Sequence, residues 1–196
     1  MKALALFDFD GTISNRDSFL DFLLYANKKK KLATSLVKLM PTFVRYKLKL
    51  ISKKRAKEKI ISHFFSGQTS YLFEEKVKEY SKDRLHKLVK QSALERIKWH
   101  KSQHHTVVVV SGSLSHWLKD WCRKYSVDLI ATELEIVNSK VTGKFSTKNC
   151  FGEEKVNRII KKYDLNKFDY IYAYGNSRGD KEMLSIANER FYKNFK

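Results

Sequence analysis

The sequence predicts an α/β protein: a Rossmann-like parallel sheet core with an inserted α-helical cap and a small β-hairpin. Three observations predict it. A short apolar run at residues 3–7 ends abruptly in Asp8-Phe9-Asp10-Gly11-Thr12, the pattern of a buried strand breaking into a loop. After residue 105, strand-like runs at 107–110 and 169–174 alternate with helix patterns after Ser113, at 153–163 and at 180–187, and a short tail follows. Such alternation requires a parallel sheet with helices on both faces. Between the first strand and residue 90 come helix patterns without a strand, so that stretch reads as an insertion. The expected division is a core of residues 1–13 and 91–196 and a cap of residues 14–90.

Taken in order, the first strand delivers two carboxylates two residues apart. Side chains at i and i+2 of an extended segment point the same way, so Asp8 and Asp10 are placed to share one phosphate and one metal ion. An α/β sheet keeps its sites at the carboxyl ends of its strands; a plain Asp-Gly turn is the competing reading. Helix 17–27 carries Phe19, Phe22, Leu23 and Ala26 on one stripe, with Asp17 or Ser18 as its cap. A second stripe runs through Leu32, Leu36, Leu39, Met40 and Phe43, with Pro41 expected to kink or restart the helix. Val44, Leu48 and Ile51 follow, interleaved with Arg45, Lys47 and Lys49. That pattern suits an interfacial helix and equally an ordinary cap helix packed inward.

Residues 52–65 and 70–90 read as further helices, and 94–101 as the helix leading back into the sheet. His100 and His104 stand one turn apart, a spacing able to bind metal. With His105 beside them and no carboxylate motif, they read as a solvated helix end. Residues 133–147 alternate and turn at Asn138-Ser139, the signature of a hairpin.

The 196 residues carry a net charge of +19, and residues 28–59 hold thirteen Lys or Arg against one acid, Glu58. A field of that size predicts an anionic partner surface, or else a solubilising helix face. A phosphorylated substrate and peripheral contact with an anionic membrane are the expected partners, and nucleic acid is disfavoured. Cys122 and Cys150 lack ligand or disulfide spacing. Lys38 and Arg45 interrupt the most apolar stretch, and a single Lys2 precedes the first strand without a signal-peptide layout. The expectation is a cytoplasmic protein, touching the inner membrane surface at most.

DFDGT at 8–12, VVVVSGS ending at Ser113, the lone Lys155 in CFGEEKVNRII, and GNSRGDKEML at 175–184 follow one another in that order. Together they resemble the four motifs of the haloacid dehalogenase superfamily of phosphatases. The resemblance spans the chain and is nearest the branch with a helical cap after the first motif, which includes phosphoserine phosphatases and the phosphatidylglycerophosphatase C type. It implies Asp8 as nucleophile and Asp10 as the acid and base. It also implies phosphate binding by Thr12, Ser111, Gly112 and Lys155, and a metal held by the Asp8 carboxylate, the Asp10 backbone carbonyl, Asn176 and Asp180. Physical chemistry points the same way. A hydroxyl and free N–H groups before a helix, as at Ser111–Ser113, form an anion site. Two carboxylates beside a phosphate require a hard cation, for which Mg²⁺ is suited.

The chain departs from the family at Asn176, where the family usually has an aspartate. Asn keeps a carbonyl oxygen but removes a negative charge, which weakens Mg²⁺ binding and strengthens the pull on phosphate. The first and last motifs also differ from those of phosphoserine phosphatases. Asp17-Ser18-Phe19 and the basic stretch beyond look more like the phosphatidylglycerophosphatase C type, with Asp17 at the substrate mouth. Three readings stay open: a phosphatase of an anionic lipid phosphate, a phosphatase of a small phosphoserine-like metabolite, and a non-catalytic anion- or membrane-binding module.

Overall fold

The computed structural model describes residues 1–195 and, at Lys29, the backbone alone. Its strands are β1 (Ala3–Phe7), β2 (Thr106–Leu114), β3 (Asp128–Thr132), β4 (Leu134–Val137), β5 (Lys140–Phe145), β6 (Tyr170–Gly175) and β7 (Glu189–Tyr192). Five of them form one parallel sheet in the order β3-β2-β1-β6-β7, while β4 and β5 pair as a separate antiparallel hairpin. β1 is central, which is why all five of its residues are apolar and buried. Alternate side chains serve two cores. Ala5, Phe7, Val107, Val109 and Tyr174 belong to one; Leu4, Leu6, Val108, Val110, Ile171 and Ala173 belong to the other.

The chain between β1 and β2 is helical: α1 (Ser18–Ala26), α2 (Lys29–Lys47), α3 (Lys53–Phe65) and α4 (Ser70–Asp83) in the insertion, and then α5 (Gln91–Ser102) leading back to the sheet. Asp17, Ser52 and Thr69 accept from the backbone N–H groups of Leu20, Arg55 and Leu72, capping α1, α3 and α4. α5 and α6 (Ser115–Lys124) cover the first face through Ile97, Trp117 and Leu118. α7 (Glu153–Lys162) and α8 (Lys181–Ser185) cover the second through Ile159 and Met183.

Four local expectations are corrected. Pro41 lies inside a continuous α2; Val37 and Pro41 both face solvent, so water reaches the carbonyl that the ring crowds. α4 stops at Asp83, because Leu85 and Leu88 turn inward to join the core. The tail after residue 188 supplies the edge strand β7, whose Phe191 stacks on Tyr174 with centroids 4.5 Å apart. His100 is fully buried and not a solvated helix end: its ring nitrogens lie 2.8 Å from His105 Nδ1 and 2.9 Å from the Tyr174 hydroxyl. Burial, with His105 and Arg96 nearby, lowers its pKa to about 3.

The hairpin turns at Asn138 and Ser139, both with positive φ, as a two-residue turn requires. It also braces the insertion. Gly67 N and Val141 N exchange hydrogen bonds with Val141 O and Gln68 O at 2.9 Å each, and Phe145 N donates to Glu58 Oε1 at 2.9 Å. Gly143 allows the contact: it has φ +85°, and a Cβ there would lie 2.1 Å from Ser62 Oγ.

Candidate active site

Phe7 pairs with Val109 on one side and Tyr174 on the other, and Asp8 N donates to Tyr174 O at 2.9 Å. The chain therefore leaves β1 level with Val110-Ser111 and with Gly175. A cavity of about 300 Å³ opens there. Asp8, Asp10, Gly112, Lys155, Asn176 and Asp180 line it from the sheet, and Arg16, Asp17, Lys53 and Lys57 from the cap side.

Lys155, in the first turn of α7, is the hub. Its Nζ lies 2.6 Å from Asp8 Oδ1, 2.6 Å from Asp180 Oδ1 and 2.7 Å from Val110 O, so all three ammonium protons are engaged. Burial alone would lower the lysine pKa, but the two carboxylates raise it above the ordinary value. The carboxylates divide this charge unequally. Burial pushes Asp8 up to about 7 despite Lys155. At Asp180 burial acts in the same direction, yet Lys155 and the Ser177 bonds hold the carboxyl below its usual range. Asp180 Oδ2 accepts from Asn176 N, Ser177 N and Ser177 Oγ at 3.1, 2.9 and 2.8 Å. Asp8 Oδ2 has one weak donor, Thr12 Oγ1, at 3.2 Å.

Asp10 turns away from this cluster. Its Oδ1 accepts from Ser18 N at 2.8 Å and its Oδ2 from the Ser113 hydroxyl. Ser18 Oγ donates to Ser113 Oγ at 3.1 Å and accepts from Trp117 Nε1 at 3.1 Å. A buried relay thus runs Trp117, Ser18, Ser113, Asp10. Burial and then Asp17 raise the Asp10 pKa, against Lys57 and the two serines. A carboxyl whose pKa is raised and which is held by oriented donors is suited to giving and taking a proton.

The residues named from sequence separate into layers. Gly112 and Lys155 line the cavity, while Thr12 and Ser111 are buried behind it; Thr12 steadies Asp8, and Ser111 Oγ accepts from Ser113 N at 3.0 Å. Asp17 both caps α1 and lines the mouth. Lys57 is a residue that the sequence reading missed. It is buried on α3, donates to Gly112 O at 3.0 Å, and sits 4.9 Å from the Phe19 ring centre. Burial lowers its pKa, opposed by Asp10 and Asp17. The signal was present in the sequence: Lys57 takes an apolar-stripe position with Ile60, Ile61 and Phe64, where a lysine is out of pattern.

Among the described residues no three His, Cys, Asp or Glu side chains converge as metal ligands, because Asn176 stands in the third place and the Asp10 carboxylate is bound elsewhere. The donor set nevertheless fits a hard cation. Asn176 Oδ1 is buried with no hydrogen-bond partner among the described residues, beside two carboxylates of the same cavity. Gly11 makes room for that amide: it has φ +81°, and a Cβ would fall 2.0 Å from Asn176 Nδ2.

Residues 5–185 match the family model of the haloacid dehalogenase-like hydrolases. The chain belongs to this family. Its expected α/β fold and its reading as an enzyme stand with that assignment. Protein CicA of Caulobacter vibrioides is 27% identical over 98% of this chain and 86% of its own length. A Bordetella pertussis Tohama I protein of unknown function superposes with a TM-score of 0.85 at 22% identity, covering 97% of this chain and 89% of that one. A phosphoserine phosphatase solved as a phospho-aspartyl intermediate analogue gives a TM-score of 0.61 at 21% identity, over 96% and 85% of the two chains.

Proposed function

We propose that this hydrolase is a Mg²⁺-dependent phosphomonoesterase working through an aspartyl-phosphate on Asp8. The observation that carries the reading is the division of labour between two neighbouring carboxylates. Asp8 faces the cavity with Lys155 and Asp180, while Asp10 is held by a separate relay through Ser18 of α1 and Ser113 of β2. The structural likeness to a phosphoserine phosphatase in its phospho-aspartyl form supports it.

In the first step an Asp8 carboxylate oxygen bonds to phosphorus, the P–O ester bond breaks, and the leaving alkoxide takes the proton of the Asp10 carboxyl. In the second, the Asp10 carboxylate accepts a proton from water as the water oxygen bonds to phosphorus. The acyl-phosphate bond breaks, which restores Asp8 and releases inorganic phosphate. The Lys155 charge beside Asp8 and the Gly112 backbone stabilise the equatorial oxygens. Mg²⁺ held by Asp8, Asp180 and Asn176 Oδ1 would supply the charge that lets an anionic ester approach ionised Asp8.

For the substrate we propose a phosphate ester with further negative charge, of the phosphatidylglycerophosphate kind. Lys53, Lys57 and Arg16 in the cavity wall support a second anion. A soluble phosphoserine-like ester is the alternative, favoured by Asp17 at the mouth, where a substrate ammonium would find a carboxylate. The test is hydrolysis of an aryl phosphate with and without Mg²⁺, by wild type and Asp8→Asn, followed by a panel that includes lipid phosphates and phosphoserine. Mg²⁺-dependent release lost in Asp8→Asn is the expected result. Wild-type activity in Asp8→Asn would refute the covalent mechanism, and a protein inert on the whole panel would leave the binding-module reading.

A further inference from the structure

The helix α2 of the insertion carries apolar residues on both sides. The face that packs inward carries Leu32, Leu39 and Phe43 together with buried Ser35 and Thr42. Its outward face is aliphatic: Leu36, Val37, Met40 and Val44 are 58%, 74%, 55% and 47% exposed. These four recur at one-turn spacing, so they form a continuous stripe. Leu48 and Leu50 prolong it past the end of the helix, also exposed. Single exposed aliphatics are ordinary, but a contiguous stripe rimmed by charge marks a contact surface.

The stripe opens sideways into a groove of about 260 Å³ between α1, α2 and α3. Its lining is almost wholly apolar and includes Leu20 and Leu24, both exposed, together with Leu36 and Phe64. Two of these helices, α1 and α3, connect the groove to the catalytic cavity. α1 starts beside Asp17 at the cavity mouth and reaches Leu20 and Leu24 within two turns, and α3 runs from Lys53 and Lys57 to Phe64.

Charge selects the occupant. Residues 28–57 contain no acid, and exposed Lys30, Lys38, Arg45 and Lys47 flank the aliphatic stripe. A second copy of this chain would bring the same positive surface against itself, which opposes self-association. An anionic bilayer satisfies both features together, with hydrocarbon under the aliphatic stripe and headgroup phosphates beside the basic flank.

We propose that the α1–α2 face docks on anionic lipid bilayers, with the α2 stripe at the acyl boundary and the groove receiving a lipid chain. The docking deepens the lipid-phosphate reading of the substrate and rests on it only for its purpose, because binding is measured without turnover. The experiment is co-sedimentation of the full chain with vesicles of phosphatidylcholine alone or mixed with phosphatidylglycerol. The variants are Leu36→Glu/Met40→Glu and Lys30→Gln/Lys38→Gln/Arg45→Gln, all at exposed positions, with circular dichroism to verify folding.

Binding to the mixed vesicles at least tenfold tighter than to neutral ones is expected, weakening as salt approaches about 0.5 M. Each variant should lower it by about tenfold or more, the aliphatic one at every salt concentration and the basic one mainly at low salt. Equal binding to both vesicle types, no binding at low salt, or wild-type binding by Leu36→Glu/Met40→Glu would overturn the proposal. So would concentration-dependent dimerisation in ultracentrifugation that the same variant abolishes. Hydrolysis of a soluble aryl phosphate is assayed separately, so loss of docking and loss of the phosphatase reading give different results.

Discussion

Replacing Lys155 by Met removes the one cation that two buried carboxylates share. Its Nζ is 2.6 Å from both Asp8 and Asp180, and all three side chains are buried. Removing one member of a buried ion cluster leaves uncompensated charge and costs about 3–5 kcal/mol. For a chain of this size each kcal/mol moves Tm by about 2–4 °C, so Tm should fall by roughly 6–20 °C at pH 8. The deficit should also depend on pH, with a definite sign. A carboxyl whose folded pKa lies above its unfolded value costs stability above the unfolded pKa, and the cost fades as pH falls through the folded value. Asp8 already stands at about 7 against an ordinary 3.8 with the lysine present. Without Lys155 Asp8 rises further and Asp180 loses the cation that holds it low, and the destabilisation should shrink steadily from pH 8 to pH 5. Thermal melts by circular dichroism across that range measure it. A deficit below about 1 kcal/mol, or one that does not change with pH, would mean that the carboxylates are neutralised by something other than Lys155.

Three further outcomes follow from the site. Ser113→Ala removes the hydroxyl bonded to Asp10 Oδ2, so kcat on an alkyl phosphate should fall by about tenfold or more, and far less on an aryl phosphate whose leaving group needs no proton. Equal losses on the two substrates would assign Ser113 to structure. Asn176→Asp restores a charged ligand beside Asp8 and Asp180, and the Mg²⁺ concentration for half-maximal activity should drop about tenfold, or 1.4 kcal/mol; an unchanged metal titration would place the cation elsewhere. Lys57 lowers the Asp10 pKa, so Lys57→Met should move the Asp10 limb of the pH–rate profile to higher pH and raise KM for doubly anionic substrates, and a profile that stays put would leave Lys57 only a substrate contact.

What the sequence determined by itself is local in origin. Five apolar residues followed by Asp-Phe-Asp-Gly are a buried strand and its terminus, because period and turn chemistry act within a few residues. The same holds for the hairpin turn at Asn138-Ser139 and for Asp17 as a helix cap. Asp8, Asp10, Gly112, Lys155, Asn176 and Asp180 came together as a set only through the order of the four motifs, and all six line one cavity. Tertiary structure decided the partners. The relay from Trp117 through Ser18 and Ser113 to Asp10 joins positions up to 103 residues apart, and no pattern in a short window encodes such a pairing. His100 looked like a solvated helix end because periodicity does not report which face of α5 meets the sheet; the Tyr174 hydroxyl and His105 made burial tolerable. The tail became an edge strand only when Phe191 found Tyr174 to stack on. The same limit governed α2. Its sequence fits a helix with either apolar stripe turned inward, and only packing against α1 and α3 left Leu36, Met40 and Val44 facing out while Leu32, Leu39 and Phe43 went in with Ser35 and Thr42. A helix's periodicity fixes its stripes, but the neighbours that bury one of them lie far along the chain.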